Sequence, residues 1–346
     1  MKAVVKYGRN NGEVEVRDVK EPELLPHQVM IEVAAVGVCG SDIHMWRENQ
    51  SWPIKLPVIL GHEFCGTVVE VGSQVSGVMV GERVAIETAA QVCGKCVYCA
   101  SGNYNMCPER LGFGNLLDGA MTKFVPVRSQ ILHRIPENVS FVQAALTEPI
   151  CVASKAVIEK SDVNPGDVVV VQGAGAIGIL VAQVALLSGA GTVVMLGTDI
   201  DEHRLEIAKK VGVHHTLNVQ REDPIGFIKS MGDGYGADLV IDCTGVSAAL
   251  KQSMQLVRPL GAITKIGWGP QPLNFSLDPL VAKAVKLQGS FSHTYATWER
   301  SLRLLSTGQL DTSAVIGGTY PLEDWQEAFS KMEVGENIKS VLVNEE

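Results

Sequence analysis

The rhythm of hydrophobic and polar positions changes once along this chain. Up to about residue 150 the apolar runs are short and largely alternating, the period of strands with one buried face: Met1–Lys6, Val14–Val19, Gln28–Val33, Gly66–Val71 and Glu82–Ile86. Turns at Gly72-Ser73 and Gly81-Glu82 separate them. Short strands punctuated by glycine predict a distorted barrel. Beyond Glu148-Pro149 the style differs. Ile150–Val157 predicts a helix, Asn164-Pro165-Gly166-Asp167 a turn, and Val168–Val171 a strand buried on both faces. Ala176–Leu187 then reads as an apolar helix, Thr192–Leu196 as a second buried strand and Glu202–Val211 as an amphipathic helix. Ala237–Asp242 and Gly261–Ile266 are further strands, with the helix Ser247–Val257 between them. Strands alternating with helices predict a parallel, doubly wound sheet in an α/β chain. The expected organisation is a doubly wound domain over 151–288 and a β-rich domain over 1–150. Residues 289–346, with helices near Thr297–Ser306 and Leu322–Lys331, are expected to return to the β-rich domain.

Composition narrows the function. A chain of 346 residues is long enough for two domains, and 46% hydrophobic with 19% charged residues excludes disorder and coiled coil. The net charge of −9 and the absence of any Lys/Arg run argue against a nucleic-acid partner. Met1–Lys6 lacks the apolar core of a signal peptide. The apolar stretch Gly178–Leu196 is interrupted by Gln183, Ser188 and Gly189-Ala190-Gly191, as a helix followed by a strand rather than a membrane span. A cytosolic chain is expected.

Gly173-Ala174-Gly175-Ala176-Ile177-Gly178 matches G-x-G-x-x-G, and it follows a predicted strand and opens a predicted helix. In that context the glycines permit the tight turn, the approach of a pyrophosphate and close helix–strand packing, with the helix N-terminus facing the phosphates. The end of the second strand bears on the choice of dinucleotide. An acid there would bind the ribose hydroxyls of NAD. Asp199, the nearest acid, lies three residues past Leu196; Gly197 is the other candidate for the acid's place, with Thr198, His203 and Arg204 as donors nearby. If Gly197 leaves room for a 2′-phosphate, NADP is favoured; if Asp199 folds back, NAD is. The reading leans slightly to NADP.

Cys93, Cys96, Cys99 and Cys107 are spaced C-x2-C-x2-C-x7-C in a polar segment. Four thiolates within one lobe suit a closed tetrahedral zinc site that staples the segment. An iron–sulfur cluster is the runner-up, disfavoured because the ferredoxin run has three residues before its last Cys. A second constellation is Cys39-Gly40-Ser41-Asp42-Ile43-His44, followed by Gly61-His62-Glu63 and later Glu148-Pro149. Its members are individually ordinary. Spacing alone leaves a metal site and satisfied core side chains both open.

Taken together, Cys39–His44, Gly61-His62-Glu63, the four-Cys lobe, Glu148-Pro149 and Gly173–Gly178 resemble the zinc-containing medium-chain dehydrogenase/reductases in order and spacing over nearly the whole chain. The likeness is greatest to the polyol (sorbitol/iditol) dehydrogenases, with some resemblance to the threonine dehydrogenases. It implies a GroES-like catalytic domain interrupted by a Rossmann domain, with the active site in the cleft between them. It implies a catalytic zinc on Cys39 and His62, with Glu63 and Glu148 as further carboxylate candidates and Asp42 orienting His62. It also implies a structural zinc on the four-Cys lobe. Ser41 and His44 would form a proton relay through the cofactor ribose. Ile266, Gly267 and Trp268 would line the nicotinamide, and Thr244 and Arg204 would approach the adenosine half. A homodimer or homotetramer acting on a small-molecule alcohol is implied, with no membrane and no nucleic acid.

The sequence departs from the polyol pattern where it has Met45 and Ser292-His293 in place of a Tyr and an Arg that would grip substrate hydroxyls. His293 is a candidate substitute for that Arg; Met45, Trp46 and Trp52 are candidates for packing. The leading expectation is a zinc-dependent NAD(P) dehydrogenase acting on a secondary alcohol, a polyol or sugar alcohol first. Alternatives are an L-threonine 3-dehydrogenase type, for which no obvious carboxylate-binding Arg is found, and a non-catalytic zinc- and dinucleotide-binding scaffold.

Overall fold

The structure is a computed structural model that describes residues 1–269 and 271–344. The chain divides into two compact units. The first comprises Met1–Glu148, His293–Gly308 and Ile316–Glu346; the second comprises Pro149–Ser292 and Gln309–Val315.

The first unit is built on a seven-stranded sheet. Its main path runs Ile316–Pro321, Lys339–Val343, Gln28–Gly37, Glu63–Val71, Arg83–Ile86, Leu132–Arg134. The long strand Gln28–Gly37 changes partner along one edge. Phe124–Arg128 pairs with its first five residues, and Lys339–Val343 reaches its last three. Its other edge pairs throughout with Glu63–Val71, in a register that sets Gly37 opposite Glu63. That switch of partner brings a strand from the chain's end beside the exit toward Cys39. A smaller sheet joins Val14–Asp18, Lys2–Lys6 and Val58–Ile59. The core is aliphatic, with Trp46 packed edge-on against Trp325 and Phe329.

The second unit is a six-stranded, all-parallel sheet in the order His215–Asn218, Thr192–Gly197, Val168–Gln172, Ala237–Asp242, Val257–Lys265, Lys286–Gly289. In chain order that is 3-2-1-4-5-6, the doubly wound dinucleotide arrangement. Val168–Gln172 is wholly buried, as its unbroken β-branched run requires. The pattern of the sequence did not reveal His215–Asn218 or Lys286–Gly289, which have four residues each and too few apolar positions to show a period. The segment Gln309–Val315 sits with this unit, where Gln183 accepts the Asp311 N–H at 2.7 Å. One helical run, Phe141–Glu159, is long and apolar enough to span a membrane by length and composition alone, but 72% of its window is buried inside the protein.

Candidate active site

The first unit assembles the metal-binding candidates. Cys39 caps the helix Gly40–Arg47 in an extended conformation, and Asp42 Oδ2 accepts the Cys39 N–H at 2.9 Å. The second oxygen of Asp42 is enclosed, has no hydrogen-bond partner and lies 3.8 Å from His62 Nδ1. This contact with His62 is an ion-pair distance, longer than the hydrogen bond expected of an orienting acceptor. The Cys39 sulfur, a His62 ring nitrogen and a Glu63 oxygen all fall within 4.8 Å of one another.

The charges around this cluster favour a cation. Burial opposes a charge on His62, yet Cys39, Asp42 and Glu148 outweigh it and raise the imidazole well above its ordinary range. Burial raises the Asp42 carboxyl in spite of His62 and the Cys39 N–H. Glu63 is held from the far side: Lys339 Nζ lies 2.8 and 2.7 Å from its two oxygens and 2.9 Å from the Val38 carbonyl, all of it buried. Burial opposes the Lys339 charge, but Glu63 and Cys39 raise it above the ordinary lysine range, while burial raises the Glu63 carboxyl in spite of Lys339. Gly37 has no side chain because the space is taken; a Cβ there would lie 2.3 Å from Glu63 Oε2.

Glu148, in the first turn of the helix Thr147–Ser154, stands outside the 4.8 Å group. Burial would raise its carboxyl, but His293, His62 and Lys339 hold it below the ordinary range. One buried ammonium thus faces Cys39, Asp42, Glu63 and Glu148. A divalent cation held by Cys39, His62 and Glu63 fits this donor set of sulfur, nitrogen and oxygen.

Ser41 and His44 ride the same helix. Ser41 Oγ is buried with no hydrogen-bond partner. His44 Nδ1 lies 2.7 Å from Asn49 Oδ1, and an amide oxygen only accepts, so Nδ1 carries the proton and Nε2 is left as an acceptor. Met45 and Trp46 are core residues. His293 does not face a substrate, because both of its ring nitrogens are committed to Trp298 and Glu148. The expectation that it substitutes for a substrate-gripping Arg is therefore corrected.

The four-Cys lobe is closed. Cys93 Sγ lies 3.9 Å from Cys99 Sγ and 3.6 Å from Cys107 Sγ. These are close to the edge of a tetrahedron with ~2.3 Å metal–sulfur bonds, about 3.8 Å. Backbone N–H groups of Cys93, Cys96 and Cys99 point at neighbouring sulfurs at 3.3–3.5 Å. As free thiols two of them are pulled in opposite directions: N–H donors from Lys95 and Cys96 lower Cys93 to about 6, while burial and the adjacent thiols raise Cys99 to about 12. A metal that ionises all four removes the conflict.

The second unit shapes a dinucleotide cradle. Gly173 has φ +97°, and a Cβ there would strike Thr244 at 2.9 Å. A Cβ on Gly178 would lie 1.8 Å from the Gly173 carbonyl, whereas one on Gly175 would meet nothing within 4 Å. Gly175 is therefore the open position and Gly178 the packing position, with Ala176 and Ile177 opening the helix between them. A Cβ on Gly197 would meet Asp201 at 3.0 Å and Leu205 at 3.1 Å, so the strand end packs tightly against the following helix. Thr198 Oγ1 and Arg204 Nη1 both bind Asp201, at 2.9 and 3.0 Å. Asp199 is turned to Asn218 and Arg221. Thr244-Gly245 and Ile266-Gly267-Trp268 abut backbone to backbone. A Cβ on Gly245 would lie 1.9 Å from the Trp268 carbonyl, and one on Gly267 2.1 Å from the Gly245 nitrogen. They form one edge of the cradle.

Sequence reasoning missed Lys339, Asn49 and Trp298. The only signal for Lys339 was a lysine opening an otherwise apolar strand, Lys339-Ser340-Val341-Leu342-Val343.

Comparison with known proteins agrees with this geometry. Residues 25–137 match the family model for the alcohol dehydrogenase GroES-like domain, and residues 176–307 match that for zinc-binding dehydrogenase. A sorbitol dehydrogenase of Halalkalibacterium halodurans is 41% identical over 99% of both chains. A D-arabitol-phosphate dehydrogenase of Enterococcus avium is 36% identical over 99% of this chain and 97% of its own. Among solved structures, a chain from Sinorhizobium meliloti 1021 bound to NADP superposes with a TM-score of 0.90 at 29% identity, covering 99% of this chain and 98% of that one. This chain belongs to the zinc-containing medium-chain dehydrogenase/reductases, and is an NAD(P)-dependent oxidoreductase of the polyol dehydrogenase-like group.

Proposed function

We propose that the enzyme oxidises a secondary hydroxyl of a polyol or sugar alcohol, in free or phosphorylated form. The observation that carries the reading is the convergence of Cys39, His62 and Glu63 within 4.8 Å, backed by buried Lys339. The names of the sorbitol and arabitol-phosphate relatives support the substrate class. Cys39, His62 and Glu63 would hold one zinc, with Glu148 at its margin, and Cys93, Cys96, Cys99 and Cys107 a second. When bound, the first zinc supplies Lewis acidity that acidifies the substrate hydroxyl, and the nicotinamide supplies the hydride acceptor. Ser41 Oγ, buried and without a protein partner, would accept the hydroxyl proton as it passes its own on toward the cofactor ribose. His44 Nε2, left as the acceptor by the Asn49 contact at Nδ1, would receive the proton from the ribose on the solvent side.

The sequence leaned to NADP, and the NADP-bound relative supports that choice. The side chains of this chain support NAD. Thr198 and Arg204 are spent on Asp201, and the acids Asp199, Asp201 and Glu202 outnumber Arg204 and Arg221 there, which disfavours a dianionic 2′-phosphate. We take NAD as the preferred cofactor. Exposed Leu260 and Val281, beside the edge strand Lys286–Gly289, support a homo-oligomer. Eight cysteines without a disulfide suit a reducing compartment such as the cytoplasm.

The test is a panel of initial rates of nicotinamide reduction. Polyols, sugar alcohol phosphates, short diols and L-threonine are each supplied with NAD and with NADP, before and after chelation. The expected result is a chelator-sensitive rate with a polyol or its phosphate. A rate confined to L-threonine, or one indifferent to Cys39→Ser, overturns the reading.

A further inference from the structure

His293 is 1% exposed and lies 145 residues from Glu148 in sequence. Trp298 Nε1 donates to His293 Nδ1 at 2.7 Å. An indole N–H only donates, so Nδ1 presents its lone pair and the ring proton sits on Nε2. Nε2 in turn donates to Glu148 Oε1 at 3.0 Å. Trp298 is itself fixed: it is 1% exposed, stacks on His133 with 5.5 Å between centroids and 10° between planes, and meets His293 edge-on at 5.1 Å. His133 is clamped between Glu87 at 3.0 Å and Glu299 at 2.6 Å. Rotating His293, or moving its proton to Nδ1, would break a buried hydrogen bond and leave a polar group unsatisfied. The Nε2 contact therefore holds one carboxylate oxygen of Glu148 in place.

We propose that His293 is a positioning residue for the reaction: locked by Trp298 as the Nε2–H tautomer, it anchors Glu148 through one oxygen and thereby sets the metal affinity of the Cys39–His62–Glu63 centre. This rests on the reading of Glu148 as part of that centre. The physical reason is that a carboxylate at the margin of a metal site contributes according to how well it is pre-oriented, and a fixed N–H donor removes its rotational freedom.

The experiment compares His293→Leu, His293→Gln and Trp298→Phe in the full-length enzyme. Zinc affinity is read by competition with a chromophoric chelator, alongside thermal stability and separate kcat and KM values. In His293→Leu the weaker-bound zinc loses roughly 10–100-fold in affinity, the range typical of a lost outer partner. Its kcat falls more than its KM changes, and the four-Cys zinc is retained. His293→Gln, whose amide can donate to Glu148 and accept from Trp298, recovers most of both losses. Trp298→Phe lies between. Adding His293→Leu to Glu148→Ala costs no further affinity, because the two act as one unit. Leu and Gln variants that are equally impaired overturn the proposal, and so does a Leu variant with wild-type zinc affinity and kcat. Cys39→Ser is the separate control: if it retains both zincs, the metal-centre reading itself fails, whatever His293 does.

Discussion

Lys339 Nζ stands 2.8 and 2.7 Å from the two oxygens of Glu63, although 276 residues separate them in sequence. The pair is nearly inaccessible, with side-chain exposures of 3% and 1%. It joins the last strand of the chain to the strand that opens with Glu63, and it puts a positive charge behind a group of anions. Without a metal, the ammonium is the main counter-ion of Glu63. With one, it offsets part of the excess negative charge of the ligand set.

Removing the ammonium leaves a buried carboxylate unpaired. Lys339→Met is expected to destabilise the fold by about 3–5 kcal/mol, the usual cost of breaking a buried pair from one side. Lys339→Arg should recover part of it. Denaturant titration with metal present measures this, and a loss below about 1 kcal/mol would show that Glu63 finds another partner.

Gly37→Ala tests the same carboxylate sterically. The new Cβ would fall 2.3 Å from Glu63 Oε2, and Lys339 keeps that oxygen from moving aside freely. The conflict is with the Glu63 side chain, Cβ at 3.2 Å included, so stability should drop in part and activity should fall by at least about tenfold, as expected when a ligand is displaced. Steady-state rates at saturating zinc decide it; wild-type kcat would mean Glu63 takes no part.

Cys99→Ser should remove one zinc per chain and lower the thermal midpoint while leaving the chelator-sensitive catalytic zinc in place. Metal analysis and melting are the two readouts. Two zincs retained with an unchanged midpoint would remove the structural-site assignment.

Cys65 gives a pH signature. Burial pushes its thiol far above the ordinary value of 9.0, and its sulfur contacts the Phe141 carbonyl at 3.1 Å. Above pH 9.0 the unfolded chain loses this proton while the folded chain keeps it. Stability therefore falls by up to ~1.4 kcal/mol per pH unit from this group, and the contribution is fully present below that pH. Cys65→Ala should flatten the decline between pH 9 and 11 relative to wild type, even if its own stability is lower. Parallel curves for the two proteins would contradict the assignment.

Asp201→Ala should free Thr198 and Arg204 from the carboxylate that holds them. The ratio of kcat/KM for NADP to that for NAD is then expected to rise by up to about fivefold, one ion pair's worth of discrimination at a partly exposed site. An unchanged ratio would place cofactor choice elsewhere.

Local chemistry was legible in the sequence. The glycine motif was readable because a strand, a turn and a helix follow one another within a few residues, and the helix Ala176–Leu187 has the bounds its apolar run predicted. The four-Cys lobe was readable because its ligands share one short loop. Cys39, His62 and Glu63 were legible only through the family pattern, since their spacing alone is ordinary. What the tertiary structure decided is which partner each group has. Lys339 meets Glu63 only because the last strand pairs with the end of Gln28–Gly37. His293 turns inward to Glu148, where the sequence had it facing substrate, because Trp298 captures its other nitrogen. Arg204 is neutralised by Asp201, where the sequence had it free for a phosphate. Periodicity and spacing report which face of an element is apolar. They carry no information on which of several polar groups, far apart in the chain, will be buried against one another, and here that pairing holds the carboxylates of Glu63 and Glu148.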